Sequence, residues 1–149
     1  TLHDKLKKIG AKGLEKAINL IESGKVIAEK QDESLVTFVK PISKEQEVID
    51  WSDTKENIYN KIRGLNPFPG ALSYYDDQII KVYLSEKIDK EYDGEYGEIV
   101  EILNKKGPVV KVKNGGIILK EVKFQGKKSQ SGIDIINGRK IILNSKFGK

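Results

Sequence analysis

The chain has 149 residues, a formal net charge of +5, no cysteine and no methionine. That length suits one domain of good size, or a small domain with an appendage. The lack of cysteine excludes disulfides and thiolate metal sites and fits a reducing, cytoplasmic setting. No apolar run approaches the roughly 18 residues of a membrane span, and neither a signal peptide nor a membrane partner is expected.

The charge is unevenly spread. Residues 1–85 hold 13 Lys/Arg and 13 Asp/Glu, residues 86–102 hold 2 and 7, and residues 103–149 hold 12 and 2, a net +10. A block of that density attracts a polyanion through counterion release.

Residues 2–22 read as a helix. Thr1 stands at the N-cap, with Asp4 three residues on, an opening expected of a piece cut from a longer chain. Leu2, Leu6 and Ile9 form one apolar stripe; Leu14, Ala17, Ile18 and Ile21 form a second at helical spacing. Gly10 and Gly13, where the stripes meet, predict a break or kink, and Ser23-Gly24 ends the helix. The stripes need a partner, and the expected one is a sheet upstream of Thr1.

Leu35-Val36-Thr37-Phe38-Val39 predicts a strand, which Pro41 stops. Ser43 to Glu47 reads as a helical turn in a linker. Trp51 precedes Ser52, the expected N-cap of a helix over 53–63 with Ile58 and Ile62 inward, and Trp51 is expected to staple onto its first turn.

Ile62-Arg63-Gly64-Leu65-Asn66-Pro67-Phe68-Pro69-Gly70-Ala71 holds two prolines and two glycines within ten residues, which encodes a rigid, shaped turn. Read as packing alone, it is a proline-capped helix end with Phe68 buried.

From Ala71 the pattern turns to strands: 72–75, a turn at Asp76-Asp77, 78–88, 97–103, 109–113, and 117–124. Asn114-Gly115 signals a type I′ hairpin. A short helix near 131–137 follows, with Ser131 as cap, Asp134 at the capping-box position and Asn137-Gly138 as its end. The fold class is α+β: a small OB-like antiparallel barrel with flanking helices, preceded by a separate helix and strand.

Asp4-Lys5-Leu6, Ile9-Gly10-Ala11, Gly13-Leu14, Gln31-Asp32-Glu33 and Val36-Thr37-Phe38, followed by Lys40 to Glu45, Ile49-Asp50-Trp51, Ile62 to Ala71 and Gly126-Lys127-Lys128, occur in one order. In that order they resemble the C-terminal half of the methionyl-tRNA formyltransferase family. The resemblance implies that residues 1–39 are the end of a Rossmann-like catalytic domain, 40–52 a linker, and 53–149 a barrel that holds initiator methionyl-tRNA. It implies 10-formyltetrahydrofolate as donor in the parent enzyme, with the catalytic residues and the folate site upstream of this chain. The fragment alone is then expected to be inactive, to bind no cofactor, and to hold neither catalytic residue nor metal.

The tRNA-binding residues so implied are Arg63, Lys105, Lys106, Lys111, Lys113, Lys123, Lys127 and Lys128, with Lys120 beside them. Lysine suits phosphate attraction more than bidentate base reading. His3 reads as a surface residue, and Glu91, Asp93, Glu95, Glu98 and Glu101 as a solvated acidic edge. Two alternatives stay open. One is the barrel of another superfamily member, a nucleotide-sugar formyltransferase or a formyltetrahydrofolate hydrolase, whose substrates give no reason for the basic block. The other is a free-standing OB-like nucleic-acid binder, which would use Tyr74, Tyr75 and Tyr83 as stacking platforms. The helix at 2–22 also predicts self-association through its exposed stripe.

Overall fold

A computed structural model describes residues 2–148. The chain divides into two compact units, residues 1–40 and 41–149.

In the first unit, helix α1 (Leu2–Glu22) runs unbroken through Gly10 and Gly13. No Cβ at either glycine would meet another group, so solvent, not packing, surrounds them. The expected break is therefore absent: two glycines weaken a helix by about 1 kcal/mol each without ending it. The expected cap at Thr1 lies outside the described residues. No residue of α1 is buried, and Leu2, Leu6, Ile9, Leu14, Ile18 and Ile21 are all exposed. The expected strand at 35–39 is not formed. A 3-10 turn (Glu33–Leu35), capped by Asp32, occupies its start, and extended residues follow without a neighbouring strand. β-branched residues favour a pleated surface only where another strand supplies the ladder.

The second unit opens on α2 (Lys44–Glu47), where the Ser43 N–H donates to Gln46 Oε1 at 2.9 Å. Helix α3 (Lys55–Leu65) follows. Its cap is Thr54, whose hydroxyl accepts from Asn57 N–H at 3.3 Å, not Ser52, whose hydroxyl donates to Asp50 at 2.6 Å. Ile58, Ile62 and Leu65 face the core. The indole N–H of Trp51 reaches across to Ser73 Oγ at 2.9 Å, and its ring lies 5.4 Å from that of Phe147. Phe68 is 88% exposed, so the buried-phenylalanine reading of its turn fails.

Among the described residues seven antiparallel strands follow: β1 (Ala71–Tyr75), β2 (Gln78–Ile88), β3 (Ile99–Leu103), β4 (Gly107–Val112), β5 (Gly115–Phe124), β6 (Gln130–Ser131) and β7 (Phe147–Gly148). Their order is β3-β4-β5-β2-β1-β7, with β6 on β5. The β1–β2 turn places Asp76 and Asp77 at φ 51° and 58°, as a type I′ turn requires. The β4–β5 hairpin differs from expectation. Val112 pairs with Gly115, so Lys113 and Asn114 form the tip, and the positive φ, 139°, belongs to Gly115.

The sheet closes on itself. Ile99 N–H donates to Ser145 O at 2.8 Å, Asn144 N–H to Ile99 O at 2.9 Å, and Phe147 N–H to Gly97 O at 2.8 Å, while β7 pairs with β1. The segment 144–148 thus joins the two ends of the sheet, which leaves the barrel without a free long edge. Helix α4 (Gly132–Asn137) carries the expected capping box: Asp134 N–H donates to Ser131 Oγ at 3.1 Å and Ser131 N–H to Asp134 Oδ2 at 3.2 Å. Ile80, Val82, Val110, Ile117, Leu119 and Val122 fill the interior with Ile58 and Ile62 of α3 and Ile135 of α4.

Candidate nucleic-acid interface

The barrel disperses the expected cations over three places, with Lys111 and Arg63 apart from them. Lys105 and Lys106 sit in the turn between β3 and β4; Lys113 sits at the β4–β5 tip. Those turns lie at opposite ends of β4, about 20 Å apart at the usual strand rise. Lys106 pairs with Glu86, and Lys120 lies 4.0 Å from the same carboxylate, so this end is partly neutralised. At the other end the tip is fastened to α3. Lys55 N–H donates to Asn114 Oδ1 and Lys55 Nζ to Asn114 O, both at 2.8 Å, and Asn114 Nδ2 donates to Glu56 at 2.9 Å. Lys55 also pairs with Asp89 at 2.8 Å, and this bond holds the Asp89 carboxyl below its usual value and raises Lys55. Lys113 itself projects from this fixed tip and is exposed.

Lys111 is set apart. It is half-buried, its ammonium donates to Tyr92 O, and it lies 6.0 Å from the Tyr96 ring. A cation so engaged has less to offer a phosphate than one held in solvent. Arg63, exposed in the last turn of α3, donates to Asn60 Oδ1 at 2.9 Å and lies 5.9 Å from the Tyr59 ring. Lys87 approaches that ring at 5.5 Å.

The third place gathers most. Lys123 on β5 stands directly opposite Lys81 on β2. Lys127 and Lys128 follow in the exposed loop after β5. Lys127 and Lys140 share a hollow of about 270 Å³ with Tyr75 and Phe124. Lys81 and Lys140 are absent from the sequence expectation. The alternation of Ile79, Lys81 and Tyr83 along β2 is the signal for Lys81, since it places the three on one face. Lys140 carries no comparable signal.

The acidic residues do not converge. Glu95 pairs with Lys146, which lowers its pKa, and Glu98 accepts from Glu95 N–H at 2.8 Å. Glu101 accepts from Tyr92 O–H at 2.6 Å and from Lys90 at 2.9 Å; the tyrosine bond first, and then the lysine, hold its carboxyl below the usual value. Burial, then the bond to Glu101, pushes the Tyr92 hydroxyl up. Among the described residues no three carboxylate or imidazole groups form a metal cluster, and no helix is long and apolar enough to cross a membrane. His3, the sole histidine, is exposed on α1.

Residues 41–140 match the formyl transferase C-terminal domain family. A methionyl-tRNA formyltransferase of Fusobacterium nucleatum is 48% identical over 148 residues, covering 99% of this chain and 48% of that protein. One of Bacillus subtilis is 39% identical over 149 residues, covering 99% and 47%. The chain therefore spans about half the length of these relatives. Among solved structures, HypX from Aquifex aeolicus in complex with tetrahydrofolic acid superposes with a TM-score of 0.69 at 14% identity, covering 89% of this chain and 23% of that one. At that identity the likeness speaks for the fold alone. The match over residues 41–140, most of the barrel unit, places this chain in the formyl transferase C-terminal domain family.

Proposed function

We propose that this chain is the C-terminal half of a methionyl-tRNA formyltransferase and that its barrel holds the initiator tRNA while the upstream half transfers the formyl group. The observation that carries this reading is the 48% identity, across 99% of the chain, to a relative of that name. The excess of twelve Lys/Arg over two Asp/Glu in residues 103–149 supports it, because phosphate contacts give affinity and orientation without reading bases. Residues 1–39 are the end of the catalytic domain, 40–52 the linker and 53–149 the barrel. The stripe of α1 then packs on the missing half. The working compartment is the cytoplasm.

The barrel's contribution is positioning. Arg63, Lys105, Lys106, Lys113, Lys123, Lys127 and Lys128 attract the tRNA backbone, Lys111 contributing least. Holding the aminoacyl end near the donor converts an encounter between two partners into a local one. The donor and the catalytic residues belong to the upstream half. Two assays test the reading together. Filter binding at low salt should retain methionyl-tRNA, and a formyl-transfer assay with this chain alone should match a blank without protein. Turnover above the blank, or no retention, would overturn it.

A further inference from the structure

We infer that the outer face of β1, β2 and β5 carries a subsite for one unpaired nucleotide, its base stacked on tyrosine and its phosphate held by lysine. This deepens the tRNA reading and rests on it for nucleic acid as the partner. The face encloses a cleft of about 480 Å³, in which Tyr74 and Tyr83 share the lining with Lys44, Lys81 and Lys123 against one acid, Glu47.

Strand register builds it. Leu72, Lys81 and Lys123 lie in one row across β1, β2 and β5, and Tyr74 pairs with Ile79 in the next. Between Val82 and Leu84 the β2–β5 register shifts, which leaves Tyr83 unopposed. Such irregularities re-aim a side chain. The turn after α3 forms a flank. Lys81 Nζ donates to Pro69 O, and a Cβ on Gly70 (φ +87°) would lie 2.8 Å from Tyr83 Cε1, so only glycine lets the turn sit against this ring. The same turn holds Phe68 out in solvent.

Two features point to a nucleotide. Tyr74 and Tyr83 are half-buried, so ring surface remains for a planar ligand. Lys44 and Lys123 make no ion pair among the described residues and are the two cations free for a phosphate; Lys81, whose ammonium is given to Pro69 O, stands across from Lys123 with no acid between. Half-exposed rings beside unpaired lysines are the combination that single-strand binders use. A volume of about 480 Å³ is that of a small-molecule site, which admits a nucleotide and not a duplex. An acidic peptide would satisfy the lysines and leave the rings idle.

The test is fluorescence anisotropy of the 149-residue chain with a labelled single-stranded hexaribonucleotide and with its duplex. The single strand should bind more tightly. Tyr74→Ala and Tyr83→Ala should each weaken it about five- to a hundredfold, since stacking is worth about 1–3 kcal/mol per base. Tyr83→Phe should bind like the parent, and Lys123→Ala should lower the salt slope by about one phosphate. Proton NMR of the unmodified chain, which no folding defect affects, should show Tyr74 and Tyr83 ring signals moving with the oligonucleotide. Unmoved ring signals, or equal affinity in the folded alanine variants, overturn the inference while tRNA retention leaves the broader reading intact. Ring shifts caused by polyglutamate and not by RNA also overturn it. Loss of both oligonucleotide and tRNA binding at low salt overturns both.

Discussion

Phe147→Ala tests whether segment 144–148 closes the barrel or merely lies on it. Phe147 is 1% exposed, and two residues follow it in the sequence. Its ring lies 5.4 Å from that of Trp51 and 5.0 Å from that of Tyr75. Its backbone donates to Gly97 O at 2.8 Å, and the substitution leaves this bond in place. What is lost is the ring. Truncating a buried phenylalanine costs about 3–5 kcal/mol, which includes aromatic pairs worth about 0.5–1.5 kcal/mol each. Against a usual domain stability of about 5–15 kcal/mol, that is about a fifth or more. At about 4–8 °C per kcal/mol for a domain near 100 residues, the melting temperature should fall by more than about 10 °C. Urea unfolding followed by the fluorescence of Trp51, the sole tryptophan, reports it directly. A loss below about 1 kcal/mol at unchanged m-value would refute the closure.

Gly132→Ala should destabilise by about 1–3 kcal/mol in the same assay, because its Cβ would lie 2.1 Å from Leu119 O and 2.7 Å from Lys106 O, both backbone. Gly10→Ala, where nothing lies within 4 Å, should instead raise the helicity of α1 by circular dichroism. Glu101 has a folded pKa below its unfolded one, so its contribution is present above about pH 4.3 and is lost as pH falls through the folded value. The stability difference between the parent and Glu101→Gln, read by melting at several pH values, should be flat from pH 6 to 8 and shrink below about pH 4. Light scattering should show self-association through α1 that weakens when Leu6 and Ile18 are both replaced by Gln, since both are exposed on the apolar stripe.

Elements with a strong local rule were legible in the sequence. The alternation along Gln78–Ile88 gives β2 to the residue, and Ser131 with Asp134 gives α4 its start. Where two local signals competed, the tertiary context decided. Ser52 and Thr54 are both good caps, and the short bond to Asp50 takes Ser52 out of use. Asn114-Gly115 has the composition of a type I′ turn, yet ties from Lys55 and Glu56 fix Asn114 and move the positive φ to Gly115. Val36 to Val39 has strand composition and no partner strand, so no ladder forms. The candidate interface was legible as charge and not as place. Nothing local to Lys111 announces that it serves Tyr92 O. Nothing local to Lys44 places it beside Lys81 and Lys123, because β1, β2 and β5 and the short α2 meet only in the fold.

The central claim, that this barrel binds tRNA through its phosphates, is most directly tested by titrating the chain with methionyl-tRNA at a series of salt concentrations. The account predicts a linear fall of log affinity with log salt, with a slope of about −0.7 to −0.9 per phosphate neutralised. It further predicts that the double replacement Lys127→Ala with Lys128→Ala makes the slope shallower by about one to two phosphates. A flat salt response, or a slope unchanged by that replacement together with Lys123→Ala, would contradict it.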